Sequence, residues 1–182
     1  MRCHHCKTKF EQYEFLNKFC KELDCQTAKA MFKLGKIKDQ KQKDARKETK
    51  IAKEKLKTKS DYEKELETVV NKFIRLRDKD LPCVSCDAPA GTYTMSAGHY
   101  FPAGSNKSVR FDVDNIHGQC WFNCNKNQHG NLSEYLPRLI KRIGQQRFDE
   151  LEMRKNTPAH YSIPELIEMK VNFKEKVRKL NT

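Results

Sequence analysis

The feature that most constrains this chain is the placement of its eight cysteines. They pair at short spacing, Cys3/Cys6 with Cys20/Cys25 and Cys83/Cys86 with Cys120/Cys124. Each pair presents two sulfurs from a tight turn, and two such half-sites close a tetrahedron around Zn²⁺. The two quartets use every cysteine. Disulfides belong to secreted chains, whereas the start, MRCHHCKTKF, has no apolar stretch of the kind that opens a signal peptide. No apolar run approaches the ~20 residues of a membrane span either. The expectation is a cytoplasmic protein with no membrane partner and two structural zinc sites. A redox CxxC would sit in a βαβ pattern, which surrounds neither pair.

Zinc matters more here because the apolar content is low. Hydrophobic residues make up 37% of the 182, below the roughly 45–50% of an ordinary globular domain, so a single large core is not expected. The formal charge is +13 and unevenly placed: residues 1–59 carry 18 Lys and Arg against 8 Asp and Glu, the remainder 19 against 16. A basic arm of this kind points to a polyanion, most simply nucleic acid. The alternative is the solvated face of a Lys-rich helix.

Four segments follow. Residues 1–25 form an N-terminal zinc knuckle, with an apolar stretch of Phe10, Tyr13, Phe15, Leu16 and Phe19. So small a unit draws most of its folding energy from the metal, and His4 and His5 are spectators beside four cysteines. Residues 26–59 are Lys-rich, free of proline and interrupted by glycine only at Gly35. They read as a solvated helical linker, with a disordered basic tract as the alternative.

Residues 60–132 open with Ser60 and Glu63, a capping-box pair. Tyr62, Leu66, Val69, Val70, Phe73, Ile74 and Arg77 then recur at helical spacing until Pro82. After Cys83 the pattern turns to glycine, aromatic and β-branched residues. Thr92–Ala97 reads as a strand and Val109–Val113 as the approach to a second. A short helix should run from Cys120 to a Gly130 C-cap. Residues 133–182 return to helix, broken near Gly144 and restarted at Ser162-Ile-Pro-Glu165. The Tyr135–Leu151 and Leu166–Val177 stripes read as helix packing or a dimer seam. The fold class expected is α+β, mostly helical, with a small zinc-stapled strand–loop–strand–helix core flanked by helices.

Inside the second zinc frame stand His99, Asn115, Asn125 and His129, in the strings SAGHY, DNIHGQC and CNKNQHGN. Metal-assisted cleavage of a phosphodiester needs a base for water, a group that orients it, and a hard cation for the developing charge. His99 is the candidate base and Asn115 its orienter. Asn125 and His129, four residues apart, would share one helical face as ligands of one divalent ion. Lys107, Arg110 and Lys126 are candidate phosphate contacts, or ordinary surface charges. His117, two residues from Asn115, is either a further ligand or a packed histidine. Trp121 and Phe122, between zinc ligands, read as core, with base-stacking groups as the alternative.

At these residues the chain resembles the HNH, or ββα-metal, nucleases. More closely, LPCVSC, SAGHY, VRFDVDNIHGQC and CNKNQHGNL, with the CHHCKTKF start and basic helix, resemble the NinG/Rap family of lambda-type phages. The resemblance covers most of the chain and is weakest after about residue 150. It implies a structure-specific endonuclease of phage recombination, acting on branched double-stranded DNA such as Holliday junctions and D-loops in the bacterial host. On that likeness His99 is the general base and Asn115 positions it. Asn125 and His129 hold Mg²⁺ or another divalent cation, and Cys83, Cys86, Cys120 and Cys124 hold zinc. Two positions depart from the pattern. Cys120 and Cys124 have three residues between them where such frames show CxxC, and Gly98 stands where many carry an acidic or histidine ligand. Paired cuts at a junction further imply a homodimer. The competing expectation is a non-catalytic zinc-binding accessory of DNA or RNA.

Overall fold

The computed structural model describes residues 1–12 and 17–181, which fall into two units, Met1–Lys57 and Thr58–Thr182. Tyr13, Phe15 and Leu16 lie outside the described residues.

The N-terminal unit begins with a turn closed by the Cys3 N–H on the Thr8 carbonyl (2.9 Å). The turn passes through Lys7 in the left-handed region, φ 62°. Helix α1, Leu23–Lys55, then extends for 33 residues, about 50 Å at 1.5 Å per residue. Its composition explains its isolation: Met31, Leu34, Ile37 and Ile51 are exposed, and of its described residues Cys25 is the buried one. Among the described residues its core is Cys3, Phe19, Cys20 and Cys25, with Phe10 and Ala28 against them.

In the second unit helix α2, Lys59–Arg77, begins two residues earlier than Ser60 would place its cap. The stretch offers two Ser/Thr-x-x-acid frames. The one used is Thr58 with Asp61, whose carboxylate accepts from the Thr58 N–H and hydroxyl, 2.8 Å each. Glu63, the acid of the other frame, instead accepts from Arg110 at 3.0 Å. Leu66, Val70 and Ile74 bury one face of α2 against Phe111, Ile116, Leu166 and Phe173.

Two strands follow, β1 (Met95–His99) and β2 (Ile116–Cys120), antiparallel with Gly98 opposite His117 and His99 opposite Ile116. The first lies later than the Thr92–Ala97 the sequence suggested, and the second follows the approach through Val109–Val113. Val109 and Phe111 are buried as strand residues would be, but Asn106, Asp112 and Asp114 turn the chain there instead. The Val109 N–H meets the Asn106 carbonyl, the Asn115 N–H the Asp112 carbonyl, and the Asp112 carboxylate accepts from the Asp114 N–H. Asn and Asp favour such turns because their side chains bond nearby backbone.

A short π-helical segment, Trp121–Asn127, leaves β2. Helices α3 (Leu132–Ile143) and α4 (Gln145–Arg154) are separated at Gly144, φ 87°, as the sequence indicated. Helix α5, Ile163–Leu180, starts from a Ser162–Glu165 capping box and packs along α2. The second apolar cluster joins Val84, Tyr135, Leu139 and Phe148. The result is a mostly helical α+β fold with a two-stranded sheet.

Candidate metal centres and cleavage site

The eight cysteines gather into two groups, Cys3, Cys6, Cys20, Cys25 and Cys83, Cys86, Cys120, Cys124, with all sulfurs of each within 4.8 Å of one another. A tetrahedral ion with Zn–S bonds of ~2.3 Å requires sulfurs about 3.8 Å apart. The observed separations are 3.7 Å for Cys6–Cys20, 3.9 Å for Cys83–Cys124 and 3.6 Å for Cys86–Cys120. Both groups fit zinc. The extra residue between Cys120 and Cys124 is absorbed because Cys120 ends β2 while Cys124 sits inside the π-helical segment, whose wider turn brings it back to the centre. Burial works against a thiolate at Cys3, yet backbone N–H groups led by that of Cys20 bring the thiol down to about 6. At Cys83 the N–H groups of Cys120 and Ser85, at 3.3 and 3.4 Å, likewise outweigh burial and lower it.

His99 ends β1, and its Nε2 lies 2.9 Å from the Arg110 carbonyl. A carbonyl only accepts, so Nε2 carries the proton and Nδ1 keeps its lone pair. Burial lowers the imidazole below its ordinary value, which keeps it neutral near pH 7. Asn115 is fully buried. Its Oδ1 accepts from the Phe101 N–H at 2.8 Å, and its Nδ2 donates to the carbonyls of Phe101 and Val109 at 3.0 Å each. One amide therefore ties both ends of the inter-strand loop, and the peptide it holds at Val109 is followed by the carbonyl that orients His99.

Asn125 and His129 do not share a helical face. The π-helical segment ends at Asn127, and His129 takes a left-handed conformation, φ 48°. The reason is local: Gly130, φ 92°, donates to the Cys124 and Asn125 carbonyls and closes the segment over them. Asn125 donates to the Ser96 hydroxyl at 2.9 Å, leaving its amide oxygen available, and His129 is exposed. Among the described residues the two cysteine groups are the sets of three or more His, Cys, Asp or Glu donors that converge.

The remaining sequence candidates separate. The Arg110 guanidinium faces Glu63 and Glu67 of α2 at 3.0 and 2.6 Å, so its charge is matched by carboxylates. Lys107 borders a shallow pocket with Lys155 and His160. The Lys126 ammonium lies 5.8 Å from the Phe122 ring. Trp121 and Phe122 are 47% and 65% exposed and thus not core. They lie on the segment that carries Cys124 inward and so point the other way.

His117 is a packed histidine. Arg77 donates to its Nδ1 at 3.0 Å, so the proton sits on Nε2, 3.1 Å from the Asp114 carbonyl, and neither nitrogen is open. Burial, then the Arg77 charge, push its pKa down to about 3. Arg77 also donates to Asp78 and to the carbonyls of Val113 and Ile116, and Asp78 accepts the Gly118 N–H at 2.7 Å. Sequence reasoning placed Arg77 on the apolar face but missed Asp78, which ties Arg77 beside it to Gly118, 40 residues away. Gly98 has a steric cause. A Cβ there would collide with the side-chain amide of buried Gln119, so β1 offers no ligand beside His99.

Fold and site together define a protein stapled by two cysteine quartets, the second framing two strands, their connecting loop and a short helical segment. The family described as NinG: Bacteriophage Lambda NinG protein matches residues 1–182, and the chain belongs to it. Protein ninG of Escherichia phage 933W is 41% identical over 134 residues, covering 72% of this chain and 64% of the relative. That of Escherichia phage lambda is 41% identical over 134 residues, covering 72% and 63%. That of Salmonella phage P22 is 40% identical over the same length. The chain thus spans somewhat less than two thirds of the relatives' own length, 64% for the phage 933W protein. No solved structure matches it. No helix among the described residues is long and apolar enough to cross a membrane.

Proposed function

We propose that this chain is a metal-dependent DNA endonuclease of the HNH type. The observation that carries the reading is the imidazole of His99. It is buried enough to stay neutral, with its Nε2 proton fixed on the Arg110 carbonyl. Nδ1 takes a proton from water, the water oxygen attacks phosphorus, and the bond to the 3′ oxygen breaks. Asn115 is a positioning residue that holds the loop carrying that carbonyl. Asn125 and His129, an amide oxygen and an imidazole, suit a hard to borderline divalent ion such as Mg²⁺. When bound, that ion supplies positive charge for the leaving oxygen. Branched recombination intermediates as substrate, and a homodimer making paired cuts, rest on the family resemblance. The basic α1 supplies salt-sensitive, sequence-independent affinity, with Lys107 and Lys126 as further phosphate contacts.

The test is cleavage of a four-way junction with Mg²⁺ or Mn²⁺. His99→Ala should cut about 10²–10⁴-fold more slowly while binding normally. Equal cutting by both would remove His99 from the mechanism. Because burial lowers the His99 pKa and the neutral form is the base, the wild-type rate should rise with pH, levelling off below the ordinary imidazole value of about 6.5.

Junction binding without cleavage by either protein would instead select a non-catalytic zinc-binding accessory of DNA or RNA.

A further inference from the structure

A shallow cleft of about 400 Å³ lies between α2 and β1, bordered by Asn71, Arg75, Ser96, Trp121 and Asn125. Three of these residues stand out. Arg75, one helical turn beyond Asn71, is exposed and has no ion-pair partner among the described residues. Arg77, Arg110, Arg138, Arg142, Arg147 and Arg154 all face carboxylates. Asn71 has a side-chain oxygen that is buried and accepts no hydrogen bond. Trp121 is 47% exposed, although its backbone N–H is anchored on the Thr94 carbonyl at 2.9 Å.

An anion-seeking cation, an acceptor without a donor and an exposed π face are complementary to one kind of ligand. A nucleotide presents a phosphate, an N–H donor on the edge of its base and a flat ring. In a paired duplex both faces of each base are covered by its neighbours, so only a base freed from the stack can lie on Trp121. Aromatic platforms of this kind hold single strands with little regard to sequence. We propose that this cleft is a nucleotide subsite for an unpaired base of a DNA strand. Trp121 stacks on the base, Asn71 accepts from an N–H on its edge and Arg75 holds the adjoining phosphate. The subsite deepens the nuclease reading and rests on it for the choice of DNA, since the same cleft carries Asn125.

Trp121 is the single tryptophan of the chain, so its fluorescence reports this cleft alone. The zinc-loaded protein is titrated, without added Mg²⁺ or Mn²⁺, with a DNA duplex carrying a bulge of three unpaired nucleotides and with its fully paired counterpart. The bulged duplex should quench the fluorescence and bind about tenfold more tightly. Arg75→Ala should weaken that binding about tenfold. Trp121→Ala, followed by anisotropy of labelled DNA, should lose the preference, and Trp121→Phe should keep it, each with its zinc content intact. DNA that binds without quenching, or quenches equally when fully paired, overturns the proposal. The cleavage assay separates the two readings. Quenching without cutting sinks the nuclease and leaves the subsite, and cutting without quenching does the reverse.

Discussion

The two cysteine quartets are built on the same turn. Cys3 donates to the Thr8 carbonyl and Cys83 to the Ala88 carbonyl, both at 2.9 Å. The residue after each second cysteine, Lys7 or Asp87, is left-handed, φ 62° and 56°. In each the third cysteine's N–H meets the first cysteine's sulfur, Cys20 to Cys3 at 3.4 Å and Cys120 to Cys83 at 3.3 Å. Their surroundings differ. Among the described residues the first quartet supplies three of the four buried side chains of its cluster, with Phe19 beside them. The second stands next to two apolar clusters that contain no cysteine. A metal in the first would complete a core and one in the second would staple cores that already exist, although the local geometry is shared.

Loss of metal should separate them most. Structural zinc contributes an apparent ~10–16 kcal/mol in small fingers, and the N-terminal knuckle has little else. Cys3→Ser should leave one zinc per chain and make the knuckle protease-sensitive. Cys83→Ser should also lose one zinc but retain the α2–α5 packing, visible as a cooperative urea transition. A Cys83→Ser protein without such a transition would end the distinction.

Next in size is a feature without a counterpart in the first unit. Asp78, 1% exposed, is held between Arg77 and the Gly118 N–H, so Asp78→Ala should cost about 3–5 kcal/mol in urea unfolding. The buried pair also sets an acid limit. The folded pKa of His117, about 3, lies below that of an unfolded histidine, about 6.5. The unfolded chain therefore binds more protons between these values, and stability present above pH 6.5 is lost as pH falls toward 3. Thermal melts would show this, with zinc release followed alongside to separate loss of metal. The smallest effect is at the cap. Thr58→Ala should destabilise the second unit by about 1 kcal/mol, whereas Ser60→Ala should change little.

The quartets were legible in the sequence because cysteine spacing translates directly into a coordination sphere. The helices were legible from periodicity, as was their break at Gly144. The approach to β2 was legible, but not that Val109 and Phe111 are buried through turns, since a burial pattern alone does not distinguish turn from strand. Trp121 and Phe122 misled for a related reason. Neighbours of buried cysteines on a helical segment face outward when the cysteines face in. The Arg77–Asp78–His117 cluster was out of reach, since it joins the end of α2 to a histidine of β2 some 40 residues away.

The group that fixes the proton on His99 is a main-chain carbonyl. No substitution at position 110 removes it, so replacing that side chain would read out the ion pairs of Arg110 with Glu63 and Glu67. The orientation of the imidazole is a property of the loop's path rather than of any one side chain along it.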